Sequence, residues 1–168
     1  YFDDLLAAAG VAAPVRDALV PRLRADHRAA NLWRVPLEGA HEAVTALRRA
    51  GFRKGVVSNA DGRAEALLAA AGLAPALEVI VDSHLEGVEK PDPEIFRRAL
   101  ARLGVPADRT VFVGDIWSID GEGSRAAGLR PILLDATGGY ADLACERIAT
   151  LAELLDRLGL ERTGRERT

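Results

Sequence analysis

The sequence predicts an α/β fold, a doubly wound parallel sheet with helices on both faces, and three observations carry that prediction. From about residue 55 onward, short β-branched runs alternate with amphipathic helical stretches, the pattern of successive strand-helix units. A chain of 168 residues that is 49% apolar is long enough to bury one substantial core. Polar and charged residues stand just after several of the apolar runs, and that is the edge at which ligands bind in such sheets.

The elements follow in order. Apolar positions recur at helical spacing from Phe2 to Ala9 and from Pro14 to about Arg28, with Gly10 closing the first stretch and Pro14 opening the second. Trp33, Val35, Pro36 and Leu37 form an apolar connection without periodicity, where a domain boundary is expected. A helix from about Ala40 to Ala50 is terminated by Gly51. The strands are then Gly55 to Ser58, Val79 to Asp82, Thr110 to Gly114 and Pro131 to Leu134. Between and after them come helices at Arg63 to Ala71, Pro93 to Leu103, around Ser124 to Ala127, and near Leu151 to Leu158. The tail from Glu161 to Thr168 is charged and lacks apolar anchors, so it is expected to be disordered. This divides the chain into 1–32, a helical segment, 33–160, an α/β domain, and 161–168.

Composition narrows the function classes. Net charge is −3, and the 22 basic residues, of which only Lys54 and Lys90 are lysines, are interspersed with acids. No basic stripe suited to nucleic acid results. The longest apolar run falls far short of the roughly 20 residues that cross a bilayer, and no basic-then-apolar leader opens the chain. A cytoplasmic protein without membrane or nucleic-acid partners is therefore expected. One cysteine, Cys145, and three histidines without ligand spacing speak against disulfides and structural zinc. The sequence has no methionine and starts at Tyr1, from which a missing N-terminal part is expected.

The chemistry lies at the strand ends. Val56-Val57-Ser58-Asn59 closes the first strand, Glu89-Lys90-Pro91-Asp92-Pro93 lies in the loop after the second, and Val113-Gly114-Asp115 closes the third, with Asp120 five residues on. A hydroxyl, an ammonium and two carboxylates on one edge suit phosphoryl transfer, which needs donors for non-bridging oxygens, a fixed cation, and carboxylates for magnesium. Plainer roles exist for each. Ser58 and Asn59 could end a strand and cap a helix, Lys90 could be a surface lysine before the Pro91 and Pro93 helix start, and Asp115 and Asp120 could be turn and cap residues.

Taken in order, Ser58-Asn59, Lys90-Pro91-Asp92-Pro93-Glu94-Ile95-Phe96 and Val113-Gly114-Asp115 with Asp120 resemble the second, third and fourth motifs of the haloacid dehalogenase superfamily. The resemblance extends to Ala126-Ala127-Gly128 and to Gly39 through Gly51, covering about Trp33 to Asp135. It implies a Rossmann-like core, with residues 1–32 as the closing helices of a helical cap. It also implies a magnesium-dependent phosphomonoester hydrolase of a small phosphorylated metabolite, working through an aspartyl-phosphate. Carried across, Ser58, Asn59 and Lys90 would bind the substrate phosphoryl group, Lys90 would also steady the nucleophile, and Asp115 and Asp120 would hold magnesium directly or through water. Gly114 would support by backbone contacts.

One departure is large. The family's first motif, an Asp-x-Asp after an apolar strand, has no counterpart before Ser58: Phe2-Asp3-Asp4-Leu5 follows no strand and runs into a helix. The strand bearing the nucleophile is central in the family's sheet, so its absence is expected to leave two neighbouring strands with unpaired backbone groups and this stretch alone marginal or inactive. Three rival readings follow. A non-catalytic member of the same fold would bind a phospholigand or a protein. A receiver-type phosphoacceptor domain gathers similar groups, but with the acidic pair first and the lysine last. Gly121-Glu122-Gly123-Ser124-Arg125-Ala126 satisfies a dinucleotide-binding spacing, yet does not follow a strand directly.

Overall fold

The computed structural model describes residues 2–160; the Glu161 to Thr168 tail expected to be disordered lies outside the described residues. The chain divides into two compact units, Tyr1–Val35 and Pro36–Thr168.

The first unit pairs α1 (Phe2–Ala8) with α2 (Ala13–Ala29). Pro14 occupies the first turn of α2, where its missing N–H has no intrahelical partner to lose. Arg16 ties the connection down, donating to Asp3 Oδ1 at 2.9 Å and to the Val11 carbonyl at 2.7 Å. The rings of Phe2, His27 and Trp33 cluster with centroids 5.0 to 6.0 Å apart. Among the described residues of this unit only Val20 and Asn31 are buried, while Leu5, Val15 and Trp33 stay exposed.

The second unit opens with α3 (Ala40–Arg49) and continues through β1 (Gly55–Ser58), α4 (Ala64–Ala70), β2 (Val79–Asp82), the one-turn α5 (Ser83–Glu86) and α6 (Pro93–Leu103). Then come β3 (Val111–Gly114), a π-helical turn Trp117–Gly121, α7 (Glu122–Ala126), β4 (Arg130–Leu134), β5 (Arg147–Ile148) and α8 (Leu151–Arg157). All pairings are parallel, and the class is α/β as the alternating pattern predicts. Two details differ from the sequence expectation. The strands lie in two sheets, β1-β2 and β3-β4-β5, not in one, and a fifth strand is present. Hydropathy marks a run as a strand without naming its neighbours, and a two-residue strand such as β5 is too short to show a period.

The faces sort by alternation along β3, as a pleated strand requires. Phe112 points to a core of Val81, Ile95, Phe96 and Leu129, where it meets Phe96 edge-on at 4.9 Å. Val111 and Val113 point the other way, onto Ile132, Ile148 and Leu154. Helix α6 therefore lies under β1 and β2 and reaches β3, because Phe96, 1% exposed, packs with residues of both sheets. Burying one such side chain contributes about 1.5–3 kcal/mol. Helix α8 covers the opposite face, and its Leu155 also seats α3 through Ala43 and Ala46. Among the described strands, β1 and β3 are each hydrogen-bonded to a neighbouring strand on one side only.

Candidate active site

The site assembles from three chain segments that follow strands. Asn59, immediately after β1, accepts from the Lys90 N–H through Oδ1 at 2.8 Å and donates from Nδ2 to the Lys90 carbonyl at 2.9 Å. Lys90 in turn sends its Nζ to Asp120 Oδ1 at 2.7 Å, and passes 5.6 Å from the Phe112 ring centroid. The peptide joining Lys90 to Pro91 is cis. Asp120 uses its other oxygen to accept from the N–H groups of Asp115 at 3.1 Å and Ile116 at 3.0 Å. One chain of hydrogen bonds thus runs from the end of β1 through Lys90 to the end of β3, linking the two sheets at their carboxyl edges.

Local sequence explains how Asp120 reaches back. The segment after β3 turns as a π-helix, the wide turn that recurs at functional sites. The buried Ser124 hydroxyl braces that turn by donating to the Asp120 carbonyl at 2.6 Å. Gly114 is required because a Cβ there would overlap the Cβ and Cγ of Asp120. Gly121 is required because a Cβ would run into the Trp117 ring, over which the Arg125 guanidinium also lies, 5.5 Å from the centroid.

The loop that follows Ser58 is fixed by residues outside the candidate motifs. Asp82, 4% exposed at the end of β2, accepts from the N–H groups of Gly62, Ala64 and His84 at 3.0 to 3.1 Å. It caps both α4 and α5. The Ser83 hydroxyl accepts from Ala60 N–H at 3.1 Å. The local signal is a capping residue type, Asp82, directly before α5; its reach to Gly62 and Ala64 is not local.

The five residues singled out from sequence fall in two groups. Asn59, Lys90 and Asp120 spend their side chains on one another and on backbone. Ser58 and Asp115 carry side chains without a hydrogen bond among the described residues, and Asp115 is exposed. Neither Ser58 nor Asn59 caps α4, whose first N–H goes to Asp82. Lys90 is no ordinary surface lysine, its side chain being 13% exposed. For magnesium, which takes one or two carboxylates and completes its shell with water, Asp115 is a free oxygen donor and Asp120 a supporting one. The described residues contain no group of three acidic, histidine or cysteine side chains spaced for a metal, so a site here would rest on this pair and further oxygens. Gly123 of the dinucleotide-like spacing is buried, and a Cβ there would overlap the Pro91 carbonyl and Phe96; its glycine serves packing. No helix among the described residues is long and apolar enough to cross a membrane.

Comparison with known proteins extends this geometry. A haloacid dehalogenase-like hydrolase protein of Danio rerio, domain-containing protein 3, is 44% identical over 112 residues, covering 64% of this chain and 46% of its own length. A phosphoglycolate phosphatase of Cupriavidus necator is 37% identical, covering 71% of this chain and 54% of the relative. The crystal structure of a phosphatase from Thermococcus onnurineus superposes with a TM-score of 0.70 at 30% identity, over 76% of this chain and 60% of the other. The chain thus spans about half the length of the curated relatives it matches. Residues 3–128 match the family described as haloacid dehalogenase-like hydrolase, and with the strand-end site in place the chain belongs to that family.

Proposed function

We propose that the protein is a magnesium-dependent phosphomonoester hydrolase acting on a small phosphorylated metabolite in the cytoplasm. The observation that carries this reading is the hydrogen-bonded run from Asn59 through Lys90 and Asp120 to the Asp115 N–H, which holds the Lys90 ammonium and the Asp120 carboxylate together at the carboxyl edges of both sheets, with Ser58 next to Asn59 in the chain and its side chain, like that of Asp115, not engaged in a hydrogen bond among the described residues. The phosphatases among the relatives and solved structures support it. Dehalogenation is the weaker reading, because a serine, a lysine and paired aspartates match the needs of a phosphoryl dianion.

Each side chain has a task in that reading. The Ser58 hydroxyl donates to a non-bridging phosphoryl oxygen. Lys90 supplies positive charge where negative charge builds up between an attacking carboxylate and the phosphate, repulsion that otherwise raises the barrier. Asp115 would ligate magnesium, and Asp120, fixed by three donors, would hold Lys90 and the Asp115 backbone in register or meet the ion through water. Magnesium would supply charge neutralisation of the phosphoryl oxygens. The nucleophilic aspartate, which forms the aspartyl-phosphate, is assigned to a segment beyond these 168 residues, since no Asp-x-Asp occurs within them. Residues 1–32 are assigned to the end of a helical cap.

That absent Asp-x-Asp also favours a second reading, a family fold that binds a phospholigand or a protein without turnover. One experiment separates the two. The full gene product is assayed for hydrolysis of p-nitrophenyl phosphate with and without magnesium. Turnover that needs magnesium and disappears in Asp115→Asn supports the hydrolase. A well-folded full product with no turnover leaves the binding module.

A further inference from the structure

The geometry points to the Asn59 side chain as a positioning group that acts through Lys90. The inference rests on the hydrolase reading only for its kinetic consequence; its structural part stands on hydrogen bonds alone. Both polar atoms of the Asn59 carboxamide are engaged by the backbone of one residue, the Lys90 N–H and C=O, 31 residues away. The pairing copies what a neighbouring strand offers to a backbone. It matters because the Lys90 backbone belongs to no helix or strand. Between Gly87, which ends α5 in the left-handed region, and Asp92, which caps α6 by accepting from Glu94 N–H, the chain makes a turn closed from the Asp92 N–H to the Glu89 carbonyl at 2.9 Å, and that bond leaves the Lys90 N–H and C=O themselves to Asn59.

Asn is suited to this task in a way its neighbours are not. A planar carboxamide presents a donor and an acceptor side by side, which Ser58 does not, and Gln is one methylene longer. Asn59 is itself held: it follows the last residue of β1, and the next residue is bonded to Ser83. Lys90 is thereby fixed at both ends, its backbone by Asn59 and its Nζ by Asp120. Four rotatable side-chain bonds separate those ends, so loosening the peptide moves the ammonium over more than the fraction of an ångström that charge placement at a reacting centre tolerates. Asn59 itself is exposed, so water replaces its bonds when it is removed, and the fold survives the change.

The test uses two readouts on Asn59→Ala. In the full gene product with labelled lysine, Lys90→Arg assigns the NMR signal of Lys90 and Lys54→Arg that of Lys54, which is bonded to the Phe52 carbonyl and serves as the internal reference. The expected result is a marked loss of order at the Lys90 ε-methylene with Lys54 unchanged and the thermal midpoint close to wild type. In the full gene product with p-nitrophenyl phosphate, kcat falls between about 10- and 100-fold while KM stays within about twofold. An unaltered Lys90 signal overturns the inference whatever the activity. So does a raised KM at unchanged kcat, which makes Asn59 a substrate contact. A looser Lys90 in a protein whose wild type hydrolyses nothing keeps the positioning role and removes the hydrolase reading.

Discussion

Lys90 Nζ and Asp120 Oδ1 stand 2.7 Å apart with their side chains 13% and 6% exposed, and this ion pair is the bond by which the β1-β2 edge is tied to the β3-β4-β5 edge. Both charges are removed from most of the solvent, so each depends on the other. Asp120 has two backbone N–H donors besides, whereas the only side chain that Lys90 Nζ meets in a hydrogen bond among the described residues is Asp120.

Lys90→Met is expected to cost about 3 kcal/mol in chemical denaturation, since removing one member of a buried pair leaves the other charge uncompensated. Adding Asp120→Asn should restore part of that loss, because the amide oxygen still accepts from the backbone and no charge is stranded. A Lys90→Met variant within about 0.5 kcal/mol of wild type, the range of ordinary surface changes, would show that solvent already screens the pair.

Gly114→Ala and Gly121→Ala test the turn that carries Asp120. A methyl at 114 meets the Asp120 side chain, and a methyl at 121 meets the Trp117 ring. Overpacking of this kind costs about 1–3 kcal/mol. The two differ in their rescue: Trp117→Ala should relieve Gly121→Ala and leave Gly114→Ala unaffected. Equal behaviour of the two double variants in denaturant would mean that the turn yields as a whole.

The strands bearing Ser58 and Gly114, and the residues following them, were legible because a buried β-branched run and a polar stop are both local features. The partners of those residues were not. Nothing in the local spacing says that Asn59 faces Lys90, because the pairing depends on where a loop 31 residues away comes to rest. Asp82 was hidden for the opposite reason: its carboxylate ends an apolar strand as Asp115 follows one, and only the three N–H groups around it show that it organises a loop. The division into two sheets agrees with the expectation, drawn from the family resemblance, that two strands lack a neighbour, since β1 and β3 are each paired on one side only among the described strands; periodicity alone does not encode it, because strand neighbours are set by long-range hydrogen bonds.

Asp82→Ala is expected to destabilise by about 3 kcal/mol, because a carboxylate accepting three N–H bonds is replaced by none, and charged hydrogen bonds are each worth about 1.5–3 kcal/mol, not additively. Asp82→Asn keeps an acceptor and should cost less than half as much. Amide exchange locates the effect: the N–H groups of Gly62, Ala64 and His84 should lose protection first. Loss of protection spread evenly over β1 and β3 would instead place Asp82 in the global core.

Glu86, at the end of α5, joins it to α6 through Arg102, 2.6 Å from Oε1, and Arg98, 3.2 Å from Oε2. The Arg102 hydrogen bond, more than the Arg98 one, holds the Glu86 carboxyl below its ordinary value. A carboxyl with a lowered folded-state value stabilises the fold while it is ionised, and that contribution fades as the pH drops below the unfolded value of about 4.3 toward the folded one. The urea midpoint of wild type should therefore exceed that of Glu86→Gln at neutral pH, and the gap should close progressively below about pH 4. A gap that stays constant into acid would show that the glutamine lost packing and not charge, since the hydrocarbon stem is common to both residues and only the ionised head responds to protons.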